Sequence, residues 1–168
     1  MTTFRAAIPF ALSFLVFACG NSEESSKPDT AETKCRLDVT LSGAIEFQSE
    51  PDSFDCASTI EQGTGIMMVF IQRPKVGTLE SIGVGAPDIG PEQIGSGFDA
   101  SLTIEHEDGR SFFANCEIDV EKNTLDHASG SADVYRLEGS GTCDPPPMPS
   151  ADDVTVGPFS FVGTQAWQ

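Results

Sequence analysis

Between residues 98 and 121 the chain alternates with a period of two on both sides of the dipeptide Asp108-Gly109. Phe98, Ala100, Leu102 and Ile104 alternate with Asp99, Ser101, Thr103 and Glu105. After the dipeptide, Phe112, Ala114, Cys116, Ile118 and Val120 alternate with Phe113, Asn115, Glu117, Asp119 and Glu121. An extended strand sends successive side chains to opposite faces, so each arm carries one apolar and one polar face. Asp-Gly supplies the positive backbone angles of a tight turn, and the two arms therefore predict a hairpin. A chain organised around such a unit is not a helical bundle.

The same period recurs elsewhere. Leu37, Val39, Leu41, Gly43, Ile45 and Phe47 share one parity and predict a single half-buried strand. The apolar run from Ile66 to Ile71 predicts a central strand buried on both faces, with Met67 and Met68 as core residues. Weaker strands are expected at Thr78 to Val84 and Ala132 to Cys143. A last one runs from Val154 to Gly163, where Gly157-Pro158 bulges the strand and hands its apolar face to Phe159 and Phe161. The stretch from Gly83 to Gly97 reads as a long loop with at most one helical turn near Pro91, and Asp144 to Asp153 as a proline-rich loop. Trp167, the single tryptophan, is expected to cap the core by docking the last strand; the rival reading is an aromatic platform for a sugar or partner. Together these segments predict an all-β fold, an antiparallel β-sandwich of about seven or eight strands, with a small barrel as second choice. Residues 35–168 suffice for one core.

Charge narrows the function classes. With 9 basic and 26 acidic side chains the formal charge is −17, and no two bases are adjacent. A protein that neutralises nucleic-acid phosphates needs a basic patch, so nucleic acid is excluded as a partner. Residues 35–168 alone hold 22 acids and 6 bases, a charge of −16.

The N-terminus reads as an address. Arg5 precedes a run from Ala6 to Ala18 that is apolar except for Ser13 and interrupted by Pro9. That run falls short of the roughly twenty residues that span a bilayer. Val16-Phe17-Ala18-Cys19 resembles the bacterial lipobox, in which the cysteine receives the lipid and becomes the mature N-terminus. The resemblance implies a signal peptide over 1–18 and lipidation at Cys19. Gly20 after the cysteine then implies the outer membrane under the best-known sorting rule. Residues 20 to 34 (GNSEESSKPDTAETK) contain no aromatic and one apolar side chain, Ala31, and read as a polar tether.

Cys35, Cys56, Cys116 and Cys143 remain, an even number in an exported chain, so two disulfides are expected. The midpoint of Cys116 and Cys143 falls between Ser129 and Gly130, a turn-forming dipeptide, which favours a bridge between two arms of a hairpin. Cys35 and Cys56 then pair by elimination. The alternative joins Cys35 to Cys143 and Cys56 to Cys116. No CxxC or Cys/His spacing supports zinc.

Few residues suggest chemistry. Glu117, Asp119 and Glu121 line one strand face about 7 Å apart, a row suited to calcium or a basic partner, though a solvated outer face is the plainer reading. Asp144, Asp152 and Asp153 flank the proline loop in a similar way. His106, among Glu105, Glu107 and Asp108, and His127, beside Asp126, each have a carboxylate to orient them, without a nucleophile at a recognisable spacing. Gly95-Ser96-Gly97 and Gly139-Ser140-Gly141 are too short for a nucleophile elbow. No metal or cofactor is expected. The layout loosely resembles small envelope lipoproteins with a disulfide-containing β-sandwich: a lipobox-like leader, a polar tether, strands holding Cys116 and Cys143, and a final strand with Phe159 and Phe161. The leader, the tether and the missing catalytic constellation together point to a lipid-anchored, non-enzymatic envelope protein, with a structural, adhesive or ligand-binding body and an unspecified protein or glycan partner. The alternatives are a surface hydrolase on envelope polymers and a calcium-dependent binding module.

Overall fold

The structure, a computed structural model, describes residues 35–50, 52–58, 60–61, 64–73, 79–146 and 152–168. The leader, Cys19, the polar segment before Cys35, and Pro147 and Pro149 lie outside them. All regular structure among the described residues is strand: β1 (Arg36–Asp38), β2 (Thr40–Gly43), β3 (Phe47–Gln48), β4 (Phe54–Ser58), β5 (Ile60–Glu61), β6 (Ile66–Gln72), β7 (Leu79–Ala86), β8 (Gly95–His106), β9 (Ser111–Ser129), β10 (Ala132–Cys143), β11 (Val154–Val156) and β12 (Phe159–Trp167).

The main sheet runs in the order β1-β12-β10-β9-β8-β7-β6-β4, and β5 pairs with β12. Every contact along that path is antiparallel; β5 on β12 is parallel. The sandwich expectation called for two sheets of similar size. Instead one sheet twists through four register shifts, at Leu79/Ser81, Gly95/Phe98, Val134/Tyr135 and Glu138/Gly139, and nearly closes on itself like a barrel. Bulges bend and twist a sheet locally, and such a series curls a long one round rather than leaving it open. A small sheet, β11-β2-β3, continues the β1–β12 pairing beyond Gly157-Pro158, where Gly157 donates its N–H to the Thr40 carbonyl at 2.8 Å. The bulge expected at that dipeptide is a full break between β11 and β12, which lie in different sheets, and Phe159 and Phe161 are both buried after it.

The seam of the barrel is closed by three devices. The Cys35–Cys56 disulfide ties β4, one edge of the sheet, to the residue that leads into β1, the other edge. At the opposite end, the segment after β4 leaves β6 and pairs with β12 as β5, Ala166 opposite Ile60 and Trp167 opposite Glu61. Between them the fully buried Gln165 takes the place of a strand: its Oε1 accepts the Met67 N–H at 2.8 Å, beyond the last β4–β6 pair, Ser58 with Met68. Trp167 completes this end by donating its indole N–H to the Gly65 carbonyl at 2.9 Å and meeting Tyr135 edge-on, centroids 5.2 Å apart. Trp167 is 4% exposed, so it caps the core.

The second disulfide, Cys116–Cys143, joins directly opposed residues of β9 and β10. Their hairpin turns at Gly130-Ser131, Gly130 taking φ +65°, one residue beyond the Ser129-Gly130 midpoint, so the midpoint argument located the bridge and placed the turn one residue early. The Asp108-Gly109 hairpin joins β8 to β9 as expected.

Three expectations are corrected. The single strand expected from Leu37 to Phe47 is interrupted at Val39, between β1 and β2, and again after Gly43, whose φ of +101° turns the chain toward β3 where the backbone at Asp153 leaves no room for a side chain. β6 is buried on one face only: Met68 and Phe70 point into the core, whereas Met67 and Ile71 are 40% and 44% exposed. A central strand of an antiparallel sheet has neighbours on both edges and still one face in solvent, and its outward apolar residues have nothing to cover them. Finally, the strand expected to end at Val84 runs on through Ala86, and the loop expected from Gly83 to Gly97 is shorter at both ends, strand resuming at Gly95.

One hydrophobic cluster fills the interior and includes Phe70, Ile82, Leu102, Ile104, Leu137 and Phe161. Each such side chain contributes about 1.5–3 kcal/mol when removed from water. Glycine makes the aromatic packing possible in β10: a Cβ on Gly139 would stand 2.7 Å from Phe161 Cζ, and one on Gly141 2.5 Å from Phe159 Cζ, both with backbone of β9 also too close. We expect Gly139→Val to lower stability by several kcal/mol, at or above the roughly 1–3 kcal/mol usual for overpacking, because the backbone at Asp119 cannot give way. Chemical denaturation measures this; an unchanged midpoint would refute the packing account.

Candidate functional surface

Residues singled out in the sequence fall on the outside of the sheet, and the register shows which come together. Asp99 lies directly opposite Glu117, and Asp119 opposite Ser140. Asp119 also accepts the Gly97 N–H at 2.9 Å. Glu121 falls at the bulge between the Val120–Gly139 and Lys122–Glu138 pairs, so the predicted three-carboxylate row loses its third member. Asp144, just past the end of β10, donates its own N–H to the Asn115 carbonyl at 2.9 Å, which holds it beside β9. Asp99, Glu117 and Asp144 consequently line one cleft of about 420 Å³. A larger one, about 810 Å³, adjoins it, with Asp144, Asp152 and Asp153 facing Phe113 and Pro146. Among the described residues, neither cleft is lined by a Lys, Arg or His. Among the described residues no group of three or more His, Cys, Asp or Glu has the geometry to hold a metal ion.

The described bases are otherwise engaged. Arg36 pairs with Asp38, Arg73 with Asp55 and Arg110 with Asp108, while Lys122 and Arg136 share Glu138 at 3.0 Å each. The Arg136 and Lys122 hydrogen bonds hold the Glu138 carboxyl below its ordinary range. The rest of the surface is left with a large acidic excess.

The histidines sit at opposite ends of the β9 arm. His106 Nδ1 is 2.9 Å from Asp108 Oδ1 in the first hairpin turn. The Asp108 carboxyl is held below its usual value, chiefly by the Arg110 backbone N–H, then by the Arg110 and His106 side chains. His127 Nδ1 is 2.8 Å from Asp126 Oδ2 near the second turn. Both are turn-stabilising pairs on exposed hairpin ends. Burial, aided by the Glu92 and Asp133 charges, pushes the Tyr135 hydroxyl up, so it stays neutral beneath Trp167.

Sequence reasoning missed the outward face of β6, β7, β8 and β9. Its cross-strand rows are Met67–Gly85–Ser101–Asn115, Val69–Gly83–Thr103–Phe113 and Ile71–Ser81–Glu105–Ser111. Phe113 is 77% exposed, and with Met67 and Ile71 it accounts for three of the five exposed large apolar side chains among the described residues. One end of this face opens into a depression of about 520 Å³ between Met67, Gly85, Pro87 and Ser101, with Asp99 on its wall. The signal is present in Ile82-Gly83-Val84-Gly85-Ala86, which alternates as a strand whose outer face is all glycine, while glycine equally marks loops.

No protein-family model matches the chain, and neither a curated protein nor a solved structure does.

Proposed function

We propose that the chain is an exported, non-enzymatic binding module, held at the outer membrane by lipid on Cys19 with its β body, flattened toward a sandwich where β12 meets β6, free to engage a partner. The observation that carries this reading is that all four cysteines of the body are joined in two disulfides, one of them across the seam of the sheet. Bridges of this kind persist in oxidising compartments. That agrees with the apolar leader and the lipobox-like Val16 to Cys19. Acyl chains contribute about 0.8 kcal/mol per buried methylene, so two or three would hold the protein on a membrane almost irreversibly. Radiolabelled palmitate should enter the full chain and not Cys19→Ala, and the variant should leave the membrane fraction. Equal labelling of both would end the anchor reading.

A second reading, a surface hydrolase, draws on the convergence of Asp99, Glu117 and Asp144 on one cleft. Two carboxylates within about 10 Å are the minimum for glycoside hydrolysis. It requires release of reducing ends from envelope polysaccharide, lost in Asp99→Asn.

A further inference from the structure

Two groups of glycine in the main sheet contrast. Gly139, Gly141 and Gly163 are imposed by the core, since a Cβ at each would stand 2.8 Å or less from an aromatic ring or the Met68 sulfur. Gly83 and Gly85 lie on the outer side of an unbroken stretch of ladder, buried as a floor beneath the side chains of the neighbouring strands, and neither has a positive φ. At Gly83 the nearest atom to a new Cβ would be Thr103 Cβ at 3.7 Å, ordinary contact. At Gly85 it would be the Met67 methyl at 3.2 Å, the end of a flexible side chain that is itself 40% exposed. Glycine weakens a strand interior, and where no bulge or bend requires it the position suits close approach by another chain.

Around these glycines the face is amphipathic. Met67, Val69 and Ile71 form an apolar wall on β6, and Ser101 and Thr103 a hydroxyl wall on β8, with Phe113 beyond Thr103. The walls stand about 10 Å apart, two strand spacings, and the apolar residues repeat about every 7 Å, the repeat of alternate side chains in an extended chain. Asp99 and Glu105 mark the two ends of the β8 wall, about 20 Å apart, with Glu105 also accepting the Ser111 hydroxyl. A neutral apolar partner would strip water from these carboxylates with nothing to pair them. A cationic one meets them, and is drawn in by a body of charge −16 whose described bases are already in ion pairs.

We infer that the outer face of β6, β7, β8 and β9 docks an extended, cationic, amphipathic polypeptide segment of a partner protein, its apolar side chains over Gly83 and Gly85 and its Lys or Arg residues at Asp99 and Glu105. This rests on the binding-module reading and supplies its partner class.

The test uses the full chain and a fluorescein-labelled peptide, Lys-Lys-Val-Thr-Val-Thr-Val-Lys-Lys, followed by anisotropy. Saturable binding is expected at low salt, weakening at least tenfold between 50 and 200 mM salt, with none by the peptide bearing Glu for Lys. Gly83→Val fills the floor and suits a strand, so it should weaken binding tenfold or more while the melting temperature holds or rises. Asp99→Asn combined with Glu105→Gln should flatten the salt dependence. Absence of peptide binding, equal binding by wild type and Gly83→Val, or tighter binding of a neutral chitin hexamer would overturn the inference. Palmitate labelling is untouched by any of these results, so failure of the dock and failure of the anchor are read separately.

Discussion

Trp167→Ala should destabilise the protein by about 3–5 kcal/mol, the range for removing a large aromatic from a packed core. Total stabilities of single domains run to about 5–15 kcal/mol, so this is a large fraction of the whole. The loss has three sources: the ring is 4% exposed, it meets Tyr135 edge-on, and its N–H is paired with the Gly65 carbonyl, which would be left without that partner. Trp167 also forms a rung with Glu61 where β5 closes the seam, so loosening it unfastens that end of the barrel. Urea unfolding followed by circular dichroism gives the magnitude. Trp167→Phe, which keeps most of the ring and drops the hydrogen bond, should cost only about 1–3 kcal/mol. If both variants unfold at the wild-type midpoint, the residue does not cap the core.

Cys35→Ser with Cys56→Ser should cost about 3 kcal/mol through the unfolded state, given the separation of 21 residues. Cys116→Ser with Cys143→Ser, at a separation of 27, should cost a similar amount by that argument. The two variants differ in where the native state loosens. Cys116 and Cys143 remain opposed in the β9–β10 ladder after their bond is lost. β1 has three rungs on β12 and β4 five on β6, and the bond is what ties one edge to the other. Hydrogen exchange should therefore quicken in β1 and β4 for the first variant and stay near wild type there for the second. Uniform exchange changes in both would show that the seam bond has no local role.

The parts of the fold that were legible in the sequence are those made by neighbours along the chain. Leu102 and Ile104 point inward, and Asp108-Gly109 turns the hairpin, because a period of two and a tight turn are local properties. The Cys116–Cys143 bridge could be located for the same reason, since its arms run from one turn and differ only by the two residues that bulge out of β9. Closure was not legible. It depends on β12 meeting β1 and β5, and on Gln165 reaching Met67, contacts between residues about a hundred positions apart that no window of sequence contains. The apolar run Ile66 to Ile71 misled because composition reports hydrophobicity without saying which face the rest of the chain will cover; Met67 and Ile71 stay partly in solvent. Of the candidate surface, the acidic residues were visible in sequence, but their grouping was not, because Asp99 meets Glu117 through strand pairing and Asp144 joins them through a single backbone bond to Asn115.

The seam disulfide has a mechanical consequence. Cys35 is where the chain enters the body, immediately before β1, and its sulfur is bonded to the middle of β4. A pull on the preceding chain would otherwise unzip β1 from β12 one rung at a time, the weakest direction for a hairpin-like contact. With the bond in place the load divides at once between β12, through β1, and β6, through β4. Yielding then requires two ladders to slip together, so the body resists as a whole rather than fraying from Cys35 inward.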